Sequence, residues 1–263
     1  MVTLGIAFLA IYLAIDEVGA LAAANWGLVA ILVVIAVVFF VIFWNIESRK
    51  KDPMVTTHYL KQRRTWGLLL TTLLTMTGVF AIMNGVVPAI AQDPVMGVDM
   101  KPDMVSFATL TPYALLGLCF GPVAGVLASK FGYRSVLRAG LIVSIAGVLF
   151  GIFLSNNASI PSLVIISVVL GIAYAGTANI MLNGLGIVLS PEDNPGYLPG
   201  MNAGAFNLGA GLSFAVLYAV MDAFAMIGAQ VGYSAAMIAS AVLLGAALLV
   251  SLFIPKPSDA DNS

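Results

Sequence analysis

The sequence predicts an all-α membrane protein of eight transmembrane helices. Three observations predict it: a composition too apolar for water, eight apolar runs of spanning length, and the placement of the few cations. Of 263 residues, 61% are hydrophobic and only 9% are charged, against about 25% charged in an ordinary soluble domain. A water-soluble core of this size cannot hide so much apolar surface, so the solvent is lipid. The net charge of −1 argues neither way about nucleic acid, and no nucleic-acid partner is expected. The single cysteine, Cys119, lies in an apolar run and can form no intrachain disulfide, so the redox compartment is unreadable. Met1 leads straight into apolar residues without a basic segment, and no cleavable signal is expected.

A run of about 20 apolar residues crosses a bilayer as a helix. On that basis the spans are Val2 to Ala22, Trp26 to Asn45, Trp66 to Ile90 and Met104 to Lys130, then Arg134 to Leu154, Ser162 to Leu189, Leu198 to Met221 and Tyr233 to Ile254. Asp16 and Glu17 interrupt the first. The runs lack period-two alternation and are too long for barrel strands. Between the second and third spans lie Arg49, Lys50, Lys51, Lys61, Arg63 and Arg64. Between the fourth and fifth lie Lys130, Arg134 and Arg138, and Lys256 follows the eighth. Placing these regions inside leaves Lys101 as the one external cation of eleven, so both termini are expected in the cytoplasm of a plasma or inner membrane. The acidic loop "SPEDNPGYLPG" must then also be inside, a mild strain that acidic residues can bear because they contribute little to orientation.

The stretch "GPVAGVLASKFGYRSVLRAG", Gly121 to Gly140, reads as a cytoplasmic hairpin. Lys130 offsets the negative end of a helix dipole. Gly132 suits the left-handed cap that ends that helix. Arg134 and Arg138, four apart, share a face at headgroup level, where neighbouring helices or anionic lipid would hold them. Gly121 and Gly125 form a G-x-x-x-G pair that admits a neighbouring helix closely.

This hairpin resembles the loop signature of the major facilitator superfamily, roughly G-x-x-x-D-R-x-G-R-R. Gly125, Lys130, Gly132 and Arg134 fit the pattern, while Ser129 stands where the family usually has aspartate. The departure is in keeping with the second, often degenerate, copy and puts in doubt any gating ion pair made by that aspartate. The segment from "ANWGLVAILVV" through "KKDPMVTTHYLKQRRTWG" resembles the part of 14-helix drug:proton antiporters that precedes their second bundle, and "GYLPGMNAGAFNLGAGLSFAV" resembles the start of their penultimate helix. The resemblance implies two inserted linker helices in residues 1–45, a basic cytoplasmic linker in 46–65, a six-helix bundle of inverted triplets in 66–254, and a disordered cytoplasmic tail in 255–263. It implies a C-terminal half of a proton-coupled exporter of amphipathic drugs or metabolites. That half would work by alternating access with a separate N-terminal half or a second copy, with the proton gradient as coupling ion and no other cofactor. The alternative is a truncated or accessory membrane protein that does not transport by itself.

In that family the first helix of each triplet lines the cavity, which implicates the third and sixth spans. On the third, Thr77, Phe80, Ala81 and Asn84 share a face and Pro88 breaks the outer end. On the sixth, Asn179 and Asn183 point together, beside Tyr174. Tyr113, beside Pro112, and Asn207 are further substrate candidates. Amides inside a membrane mark either an interhelical hydrogen bond or a wet cavity, and the sequence leaves both open. Asp16, Glu17 and Asp222 sit near outer ends of spans, where they read first as interface residues and second as proton relays. His58 reads as a solvated histidine among cations. Gly200, Gly204 and Gly211 form a small-residue stripe expected to pack against a neighbour. No nucleotide loop, metal cluster or nucleophile triad is present in the sequence, so neither an enzyme nor a metal site is expected.

The topology is testable by labelling single cysteines placed at Lys51, Asp99 and Asn157 in a Cys119→Ala background. Impermeant reagent should modify the last two from outside and spare the first; external labelling at Lys51 overturns the orientation.

Overall fold

A computed structural model describes residues 2–19, 24–47, 49 and 57–257. Lys50, Lys51, the rest of the basic linker's centre and the chain beyond 257 lie outside the described residues, as does the side chain of His58. Among the described residues every regular element is helical. Eight long helices follow one another: α1 (Val2–Gly19), α2 (Trp26–Glu47), α3 (Arg63–Gln92), α4 (Pro102–Phe131), α5 (Tyr133–Asn156), α6 (Ile160–Val188), α7 (Tyr197–Ala225) and α8 (Ala229–Ser251). A four-residue turn of helix, Thr57–Leu60, precedes α3. Helices α2 to α8 are long and apolar enough to cross a membrane, and α1, at 18 residues, is near the shortest length that spans. The chain divides into two compact units, Met1–Gln62 and Arg63–Ser263.

The first unit is a helical hairpin. Ala7, Ala10 and Ala14 recur at helical spacing on α1 and are buried, as are Ala36 and Phe43 on α2. Small side chains let two helices approach closely where lipid supplies no hydrophobic drive for association. The Asn25 side chain caps α2 by accepting the Leu28 N–H at 3.1 Å, and Glu17 accepts the Asn25 N–H at 2.7 Å. The carboxylate thus satisfies backbone at the hairpin's turn, as an interface residue does.

In the second unit, α3 and α6 are the most enclosed helices. The pattern of packing is an exchange. Helix α3 packs on α7 and α8, α6 packs on α4 and α5, and α5 packs on α8. If α3–α4–α5 and α6–α7–α8 are taken as two triplets, the first helix of each lies against the second and third of the other. That is the arrangement an inverted repeat produces. Side chains such as Leu118, Ile142, Phe153, Val242 and Leu249 are exposed on the outside, which suits lipid and would be a liability in water.

Prolines and glycines shape the spans. The regular pattern of α4 breaks at Thr109, four residues before Tyr113, because the Pro112 ring crowds the carbonyl four residues back and donates nothing to it. The Thr109 hydroxyl turns inward to the Val105 carbonyl at 2.7 Å. At the other end Gly132 takes φ of +82°, and its N–H closes on the Ala128 carbonyl at 2.8 Å, so one residue separates α4 from α5. The loop after α3 is equally tight. A Cβ on Gly97 would lie 1.8 Å from the Ile90 carbonyl oxygen, so no other residue fits without moving the chain. Asp93 organises this loop: Oδ1 accepts the Val95 and Met96 N–H groups at 2.9 and 3.0 Å, and Oδ2 accepts the Tyr233 hydroxyl of α8 at 3.1 Å.

The backbone hydrogen bonds of Met96 and Val95 hold the Asp93 carboxyl below its ordinary value of 3.8. A depressed folded-state pKa stabilises above the unfolded value and loses that contribution as pH falls through the folded one. Asp93→Ala should therefore lower the thermal midpoint at neutral pH, with the gap to wild type closing below about pH 3.8. A pH-independent gap, read by unfolding in detergent, would remove this role.

Candidate functional site

Helices α3 and α6 each carry a π-helical stretch, Ile82–Val86 and Gly171–Ala178. Such widened turns recur at functional sites because they free backbone groups and re-aim side chains. In α3 the cause is local. Pro88 has no N–H, and its ring crowds the Asn84 carbonyl, which the wider turn relieves. Backbone groups of the turn just before the stretch bond to neighbouring helices as well. Ser213 of α7 accepts the Ala81 N–H at 2.8 Å, and Ser240 of α8 donates to the Gly78 carbonyl. In α6 the stretch lies at close crossings. A Cβ on Gly171 would meet the Tyr113 carbonyl oxygen at 2.6 Å, one on Gly176 the Phe120 Cβ at 2.9 Å, and one on Gly140 the Ala173 carbonyl oxygen at 2.8 Å. The Thr177 hydroxyl closes the π turn on the Ile172 carbonyl at 2.8 Å. Buried Tyr174 donates its hydroxyl to the Met76 sulfur, joining α6 to α3.

The asparagines divide into two kinds. Asn84, Asn183 and Asn207 are exposed, and each donates to the carbonyl four residues back on its own helix at 2.9 Å. Asn183 also donates to the half-buried Asn179 side chain at 3.0 Å. The hydrogen bonds given for these amides join no two helices; they stay with their own helix and keep polar capacity turned outward. Interhelical bonding falls instead to Asn202, which the sequence reading passed over. Its Oδ1 accepts the Thr72 hydroxyl of α3 at 2.6 Å and its amide donates to the Leu182 carbonyl of α6 at 3.3 Å, all within the core. The signal was periodic: Leu198, Asn202, Gly209, Ser213 and Leu217 form the buried face of α7.

The opposite face of α7 carries Gly200, Gly204, Asn207, Gly211, Phe214, Tyr218 and Asp222 at steps of three and four. Gly200 and Gly204 have nothing within 4 Å of a Cβ, so the packing expected of them is not made within this chain, and Gly211 is half-buried. The close-packing glycine on α7 is Gly209, where a Cβ would lie 2.6 Å from that of Met76. Gly121 makes ordinary contact with Ile180 at 3.8 Å, whereas Gly125 faces open space. Tyr113 is half-buried and meets α6 through its backbone.

At the α4–α5 hairpin Lys130 is exposed in the last turn of α4. Ser129 turns its hydroxyl to the Val126 carbonyl at 2.8 Å, so no carboxylate acts from that position. Arg138 donates to the Ser251 carbonyl of α8 at 3.1 Å, a cation set at a helix C-terminus. Arg134, half-buried beside it, leaves its Nε without a partner. A cavity of about 380 Å³ opens between α4, α5 and α6, lined by apolar groups including Phe120, Phe131, Val143 and Ile172.

Six helices in two exchanged triplets, with a signature hairpin between the second and third, meet their counterpart among known proteins. The sequence profile of the Major Facilitator Superfamily matches residues 1–214 and, in a second alignment, residues 68–263. The uridine/deoxyuridine transporter of Lactococcus lactis subsp. cremoris (strain MG1363) is 55% identical over 243 residues, which are 92% of this chain and 51% of that protein. The chain thus spans about half the length of the curated relative it matches. Family and relative are transporters, not enzymes, and the chain belongs to the Major Facilitator Superfamily.

Proposed function

We propose that the six-helix unit α3–α8 is one half of the pathway of a transporter for nucleosides, working by alternating access. The opposing half corresponds to the part of the relative that this chain does not match. The observation that carries the reading is 55% identity across nearly the whole chain to a protein named for uridine and deoxyuridine. Substrate chemistry changes less readily than that much sequence, so a nucleoside outweighs the amphipathic drug that the linker resemblance implied. The outward amides of Asn84, Asn183 and Asn207 support it. Each offers a donor and an acceptor side by side, the complement of a pyrimidine edge. The proton gradient is the proposed driving ion. Rocking about a shared site needs both bundles, so this chain alone should not pump.

The test is uptake of labelled uridine by vesicles under an imposed proton gradient. Chain plus opposing half should accumulate uridine, chain alone should not, and Asn207→Leu should slow the complete system about tenfold, the order expected for one polar contact. Gradient-driven movement of a lipophilic dye with no uridine uptake would overturn the substrate reading. Uridine uptake by the chain alone would overturn the need for a second half.

A further inference from the structure

Toward the C-terminal ends of α3 and α7 a group of aromatic and polar side chains gathers at the boundary of the two helices. Phe80 of α3 meets Phe214 of α7 edge to face, with ring centres 5.8 Å apart, and Phe214 stacks on Tyr218 at 5.9 Å and 28°. Gly85 makes this possible. A Cβ there would lie 2.6 Å from the Tyr218 hydroxyl and 3.2 Å from Phe214, so the two rings lie flush on the α3 backbone. The π turn that contains Gly85 also carries Asn84, which is exposed and donates to the Phe80 carbonyl of its own helix. One turn beyond Tyr218 stands Asp222, the one carboxylate within α7, also exposed. Phe214 is 37% exposed although core positions lie one step away on the same helix. An exposed ring backed by two half-buried ones, with an exposed amide and an exposed carboxylate nearby on the same two helices, suits a ligand with a flat face, a polar edge and hydroxyl groups.

We propose that Phe80, Asn84, Phe214, Tyr218 and Asp222 form an outer subsite that holds a nucleoside by its base and its ribose. This rests on the nucleoside reading above and extends it. The base lies on the exposed part of Phe214, beside half-buried Tyr218, stacking being indifferent to which base is present. Asn84 meets the base edge with its amide, as asparagine meets bases elsewhere. Asp222 accepts both ribose hydroxyls, the two oxygens of a carboxylate matching a vicinal diol. Along α7 the four residues from Tyr218 to Asp222 rise about 6 Å, comparable to the separation of a base from its 2′ and 3′ hydroxyls. Counted from the middle of α7 near Gly211, Asp222 lies about 16 Å outward. With the cation-rich loops inside, as expected from the sequence, the subsite meets solute approaching from outside before it reaches the middle of the membrane.

The arrangement makes a distinct demand on sugar chemistry. A carboxylate that reads the diol must favour uridine over 2′-deoxyuridine and ignore free uracil. The experiment measures KM for competing uridine and 2′-deoxyuridine, and inhibition by uracil, in vesicles holding the chain with its opposing half. Asp222→Asn should raise the uridine KM about tenfold, the order for a charge-assisted hydrogen bond. The 2′-deoxyuridine KM should change less, and uracil inhibition should stay fixed. Phe214→Leu, which keeps the apolar volume, should weaken all three ligands alike. Both positions are exposed, and unchanged elution on size exclusion verifies folding of each variant. If wild type takes up uridine and Asp222→Asn leaves the ribose-to-deoxyribose ratio unchanged, the subsite is wrong and the nucleoside reading stands. If wild type takes up no nucleoside at all, the reading falls and the subsite falls with it.

Discussion

Every peptide group in this molecule that leaves the regular helical pattern at membrane depth must be met by another part of the protein, because lipid offers it nothing. The second unit is organised around that demand. Helix α3 gives up its regular ladder before Pro88, and serines of α7 and α8 bond to its backbone in the turn just ahead, at Ala81 and Gly78. Helix α6 gives up its ladder at Gly171–Ala178 and is braced by Thr177 and by glycine-lined crossings with α4 and α5. The two irregular helices are the two most enclosed, and Tyr174 bonds one to the other. Irregularity at depth is possible only because each of these helices is wrapped by partners. Those partners belong to the opposite triplet.

The same constraint sorts the polar side chains. Those that serve the fold point inward and bond across helices: Thr72, Asn202, Ser213 and Ser240. Those that do not serve it bond to their own helix and keep spare capacity outward: Asn84, Asn183 and Asn207. On α7 the two sets occupy opposite faces of one helix. Asn202 and Asn207 look equivalent in the sequence, yet one fixes three helices together and the other contributes nothing to their cohesion. A transporter needs both kinds, since a surface spent on packing cannot also meet a solute.

Much of the architecture was legible in the sequence because lipid enforces it. Eight apolar runs gave eight helices with ends close to those expected, and Gly132 separates α4 from α5, whereas Pro88, expected to break α3, is carried within it behind a π turn. What could not be read was orientation about each helix axis. The stripe of Gly200 and Gly204 was expected to pack and instead faces outward, while Gly209 and Asn202 one face over do the packing. Polar residues stand on both faces of α7, Asn202 and Ser213 on one and Asn207 and Asp222 on the other, so polarity does not fix its rotation and partners decide which small residues are buried. The substrate class was illegible for a different reason. Amides and aromatic rings fit a nucleoside without excluding other solutes, and the nucleoside reading leans chiefly on likeness to a protein of named specificity.

The exchange of first helices between triplets also governs how this protein is made. Helix α3 is synthesised before any of its principal packing partners, α7 and α8. Until they emerge, its buried threonines and its irregular turn have neither serine to lean on nor neighbour to exclude lipid. The first triplet therefore cannot be completed as an independent building block. Assembly must wait until the ribosome has passed residue 240, the position of the serine that closes on Gly78. A chain interrupted between α6 and α8 would leave α6 wrapped by α4 and α5 but α3 without its principal partners in the bilayer.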